Sequence, residues 1–148
     1  MVAYFDVVAI VAAHRFEIAV GPEQARIARD SYTYLHTPMV AGIILFAFGA
    51  KKTLAHVGDP LEAVPAFGLC GGVALYLLAH VAFRMRNVHS LNTARLVVAI
   101  VLLALIPVAT QIAALVALAL VAALLVALLS YELLRFHEAR ERLRHTLR

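Results

Sequence analysis

The sequence predicts an all-α protein, a polytopic helical transmembrane bundle, and three observations carry that expectation. The composition is 64% hydrophobic with a mean hydropathy of +0.89, against a globular norm of roughly half apolar residues. Charged residues make up only 15%, and they gather between long apolar runs where a soluble surface would interleave them. The runs are continuous in Ala, Leu, Val and Ile, which suits helices; lipid-facing barrel strands would alternate apolar with polar residues.

In chain order the first element is a partial or interfacial N-terminal helix within residues 1–28, followed by a cytoplasmic linker. Its apolar stretch "VAYFDVVAIVAA" reaches only about 20 Å as a helix, short of the roughly 30 Å of hydrocarbon that a span must cross. It has no basic leader and Asp6 interrupts it, so it does not read as a secretory signal. Region 29–148 holds four spans at about 30–50, 61–83, 94–109 and 112–134, the third being the shortest. Pro107, followed by "VATQ", ends the third run in a tight turn, so the last two spans form a helical hairpin. The tail 135–148, "RFHEARERLRHTLR", continues the fourth helix with Glu138 to Arg142 and Glu141 to His145 at the supportive i,i+4 spacing.

The distribution of basic residues predicts the orientation, because cytoplasmic loops retain Lys and Arg. Arg15, Arg26, Arg29, Arg84, Arg86, Arg95, Arg135, Arg140, Arg142, Arg144 and Arg148 share one face, and only Lys51 and Lys52 lie on the other. The loop from Lys51 to Pro60 is therefore expected outside and the C-terminus in the cytoplasm of a multi-pass protein of the inner (plasma) membrane. This topology also accounts for the net charge of +4 and the pI near 9.6, and no nucleic-acid partner is expected. The lone Cys70 sits within an apolar run and excludes an intrachain disulfide.

Two polar constellations stand out. Helical spacing puts Arg29, Thr33, His36 and Val40 on one stripe and Asp30, Thr33, Tyr34 and Thr37 on the next. Asp30, Tyr32 and Tyr34 read as interface anchors, since tyrosine rings suit headgroup depth and an acid at a helix start complements the dipole. His36 and Thr37 are expected to face a protein interior beside Pro38, whose missing N–H frees a carbonyl. In the second span Gly68, Gly72, Tyr76, His80 and Arg84 recur every four residues. Gly68 and Gly72 are candidate helix-packing positions. Together Asp6, His36, Thr37, Tyr76 and His80 form the candidate polar pathway or pocket, because ionisable groups at membrane depth are functional candidates by default. Arg95 is expected to snorkel, and Glu132 to pair with Arg135 three residues on. No metal-ligand spacing, nucleophile elbow or phosphate loop is present in the sequence, so neither an enzyme nor a cofactor is expected.

The segments "YFD" at Tyr4 to Asp6, "RDSYTYLHTPMVAGI" at Arg29 to Ile43 and "GGVALYLLAHVAFRMR" at Gly71 to Arg86 resemble the bacterial low temperature requirement A family over nearly the whole chain. The middle segment is the specific one. The resemblance implies a polytopic inner-membrane protein with a role in growth in the cold, and it does not imply a defined reaction. Family proteins are much longer, so the chain resembles their C-terminal part, and Asp6 is then an intramembrane acid whose site further helices complete. If Met1 starts the protein, the same stretch lies along the interface as an amphipathic segment instead.

Two functions follow as expectations. The first is a transport or channel-like role for a proton, cation or small solute along the polar residues. The alternative is a noncatalytic structural or assembly role, with the chain packing through the Gly68 and Gly72 face. Expected partners are the lipid bilayer and either the N-terminal half of the family fold, a second copy or another membrane protein.

Overall fold

A computed structural model describes residues 21, 22, 33–88 and 91–146, with side chains described to 86 and from 91 to 135. Asp6, Asp30, Tyr32 and nearly all of the N-terminal region 1–28 lie outside the described residues. The elements in order are α1 (His36–Ala55), α2 (Ala63–Ala66), a π-helical segment (Phe67–Gly71), α3 (Gly72–Val88), α4 (Thr93–Ala109) and α5 (Ala114–Thr146). Among the described residues every regular element is helical.

Three helices are long and apolar enough to cross a membrane: His36–Ala55, Ala63–Arg86 and Ala114–Arg135. The second joins α2, the π segment and α3 without a break. Where the sequence predicts a fourth span, α4 is a shorter apolar helix of 17 residues, about 25 Å long. Both of its ends are fixed locally. The Asn92 side chain accepts the Arg95 N–H at 3.3 Å at the start, the N-cap arrangement that satisfies an orphan donor. At the other end Pro107 lies inside the last turns, the Thr110 hydroxyl donates to the Pro107 carbonyl at 2.8 Å, and the Gln111 N–H donates to the Val108 carbonyl at 2.9 Å. The chain then reverses into α5, giving the expected hairpin.

Pro38 falls in the first turn of α1, and the backbone leading into it is already helical, with Thr33 and Tyr34 π-helical and Leu35 at φ −87° and ψ −22°. The Thr37 hydroxyl is used one turn back, donating to the Thr33 carbonyl at 2.7 Å. At the far end of the bundle the loop after α1 closes over α5. The Ala114 and Leu115 N–H groups donate to the carbonyls of Asp59 and Val57 at 2.9 and 3.1 Å, satisfying two of the four orphan donors that any helix start presents.

The Ala63–Arg86 helix is the centre of the bundle. Two thirds of it is buried (67%), against 22% for α1 and for α5, so the other helices turn their remaining surface outward. Alanines line the inner contacts, with Ala74, Ala99, Ala109, Ala114 and Ala117 fully buried around Leu69, Leu102 and Val121. Small side chains let helix backbones approach where lipid supplies no hydrophobic drive for association.

Candidate functional site

α1 and the central helix approach until their backbones nearly touch, and the contact is built from glycine. A Cβ on Gly42 would stand 2.6 Å from the Gly72 carbonyl oxygen and 2.9 Å from the Tyr76 nitrogen. One on Gly49 would collide with the Leu69 backbone, and one on Gly68 would stand 2.9 Å from the Leu45 carbonyl oxygen. One on Gly72 would stand 2.7 Å from the Gly42 carbonyl oxygen; real Cβ atoms do not reach such distances from backbone, so all four positions tolerate hydrogen only. Gly68 and Gly72 are therefore covered by α1 of the same chain.

Beside this contact α1 and α5 part, and a half-open crevice of about 410 Å³ lies between them. Gly42, Ile43 and Phe46 form one wall and Leu125, Leu129 and Leu133 the other, over a floor that includes Val73 and Tyr76. Its lining is almost wholly apolar except for Tyr76, Arg95 and Glu132. Both the size and the mixture of an apolar body with a few convergent polar groups are those of small-molecule sites.

Arg95 and Glu132 form a buried, two-pronged ion pair. Arg95 Nε donates to Glu132 Oε1 at 2.7 Å and Nη2 to Oε2 at 2.9 Å, with side chains only 6% and 10% exposed. Asn92 Nδ2 donates to Glu132 Oε1 at 2.8 Å. One asparagine thus caps α4 with its oxygen and braces the carboxylate with its nitrogen. The paired fork geometry is the strong form of carboxylate recognition by arginine, and pairing is the condition under which ionisable groups persist at membrane depth. His80 is buried, stacks on Tyr76 with ring centroids 6.3 Å apart, and lies within electrostatic reach of Arg84, Arg95 and Glu132.

Of the candidate pathway, the structure brings Tyr76 and His80 together and leaves His36 and Thr37 apart from them. Both are exposed, as is Tyr34 at 64%. The buried stripe of α1 starts at Met39 and runs through Gly42 and Gly49 to Thr53, so the turn carrying His36 precedes the close approach and does not face the interior. Asp6 lies outside the described residues. Two local expectations are also corrected: Arg95 does not snorkel, and Glu132 pairs with Arg95 instead of Arg135, whose Nη1 donates to the Tyr131 hydroxyl at 3.4 Å. The signal was present in the hairpin. Residue 95 measured from an end at 109, and residue 132 measured from a start at 114, differ in depth by about one turn. A long arginine side chain spans that difference. Among the described residues no group of three His, Cys, Asp or Glu side chains is placed to hold a metal ion.

The family model described as bacterial low temperature requirement A protein (LtrA) matches residues 1–130. No curated protein sequence and no solved structure matches the chain.

Proposed function

The chain belongs to the bacterial low temperature requirement A family, and from that premise we propose a transport or channel-like role for a proton, cation or small solute. One observation carries the reading: a buried, hydrogen-bonded ion pair, Arg95 and Glu132, lines an almost wholly apolar crevice between helices of membrane-spanning length. Intramembrane charges are costly and mark pathways more often than they serve packing alone. His80, behind Tyr76, adds a buried ionisable group within electrostatic reach of the pair. In this reading α4 is the fourth full span, its shortness met by local thinning of the bilayer. The membrane is the inner membrane, the arginine-rich end and the C-terminus are cytoplasmic, and the protein is not an enzyme. The alternative, assembly through the Gly68 and Gly72 face, has less support because α1 already covers that face.

The test is flux in proteoliposomes across a panel of ions and small solutes, with a cysteine at Lys52 and an impermeant maleimide reporting orientation in intact cells. Glu132→Gln and His80→Ala are expected to lower flux at least tenfold, and Lys52→Cys to label without lysis. Flux equal to that of empty liposomes over the whole panel removes the transport reading, and labelling only after lysis reverses the orientation.

A further inference from the structure

We propose that the crevice between α1 and α5 binds one acyl chain of an anionic phospholipid, with the headgroup held at the arginine-rich end. The inference goes beyond the transport reading and does not depend on it.

Shape is the first argument. The crevice is half open, and its wall on α5 runs from Leu125 to Leu133, about 12 Å along the helix. A groove that is long, apolar and open along one side accepts a flexible hydrocarbon chain. Leaving it empty would forfeit dispersion contacts along both walls.

Charge is the second argument, and it selects the headgroup. Among the described side chains one end of the bundle carries Arg84, Arg86, Arg95 and Arg135 against the single acid Glu132. The other end carries Lys51 and Lys52 balanced by Asp59 and Glu62. The crevice reaches the charged end through Arg95, Glu132 and Leu133. Beyond the lining, Arg84 lies on the Tyr76 and His80 stripe of α3, and Arg135, whose Nη1 donates to the Tyr131 hydroxyl, stands at the same end of α5. A basic opening between helices is the arrangement that holds anionic lipid headgroups. Glu132 does not oppose this, because its carboxylate is already engaged by Arg95 and Asn92.

The chain contains no tryptophan, so one introduced indole is a clean reporter. Phe46→Trp and, independently, Leu129→Trp place it in the crevice from opposite walls; Ile100→Trp places it on the exposed face of α4. The full chain is reconstituted in vesicles with phosphatidylglycerol or phosphatidylcholine carrying brominated acyl chains, and quenching is compared. Both crevice reporters are expected to favour phosphatidylglycerol at least threefold while Ile100→Trp shows no preference, and Arg84→Gln with Arg135→Gln should bring the crevice reporters to parity. Equal quenching of crevice and control reporters by both lipids would show ordinary lipid contact and overturn the proposal. Crevice reporters that resist quenching by either lipid would assign the groove to another occupant, such as the N-terminal segment or a second copy, and overturn it equally.

Discussion

The contact between α1 and α3 and the contact between α4 and α5 hold one bundle by opposite means. The first has no polar side chain at its centre and closes until backbone meets backbone at Gly42 and Gly72. The second is anchored by full charges, Arg95 on Glu132, braced by Asn92. In lipid the hydrophobic effect does not draw helices together, which leaves close packing and polar bonding as the available sources of adhesion. Each contact relies on one of them, and the crevice opens between α1 and α5, where neither operates.

The comparison breaks most sharply at the ion pair. Arg95→Met leaves a buried carboxylate held by Asn92 alone, and Glu132→Met leaves a buried guanidinium; removing one partner of such a pair costs about 3–5 kcal/mol. Thermal unfolding in detergent is expected to register both losses. Arg95→Met combined with Glu132→Met should recover most of that stability, because the desolvation of both charges disappears with them. A double variant as unstable as either single one would mean that the pair is embedded in a wider network and is not a separable anchor.

At the glycine contact the expected loss is smaller, about 2–3 kcal/mol for Gly72→Leu, the upper part of the range for overpacking. A Cβ there already meets the Gly42 carbonyl oxygen at 2.7 Å, so the helices must part. Gly71→Ala is the control. Its Cβ would meet only the Phe67 ring, at 3.2 Å, and a side chain can yield where a backbone cannot. That variant should stay within about 1 kcal/mol of the parent. Equal losses for the two would show that the backbone approach at Gly72 does not set the cost, since both substitutions gain helix propensity.

The two contacts also differ in how far they could be read from the sequence. Apolar length placed the central span at 61–83 and the last at 112–134, near the observed Ala63–Arg86 and Ala114–Arg135. The four-residue repeat singled out Gly68 and Gly72, because a helical face is a local property. The ion pair is not local. Residue spacing favoured Arg135 for Glu132, yet the partner lies 37 residues back across the hairpin. His36 shows the same limit from the other side: periodicity assigns it a stripe, but whether a neighbour covers that turn depends on where the glycine approach begins.

Asn92 gives the smallest effect and the finest division, since it serves the helix start and the ion pair with different atoms. Asn92→Ala removes both services and should cost about 1–2 kcal/mol, combining a lost cap with a lost bond to a charged group. Asn92→Ser keeps a hydroxyl able to cap α4 but too short to reach Glu132, so it should recover roughly half of that loss. Asn92→Asp also caps well, but it sets a second carboxylate against Glu132 where an amide donor stood at 2.8 Å. If the brace matters, Asp is the worse of these two caps, and raising the salt concentration should do little for it because a partly buried pair is weakly screened. If Asp and Ser unfold at the same temperature, Asn92 is a helix cap alone, and the anchor between α4 and α5 reduces to the two prongs of Arg95.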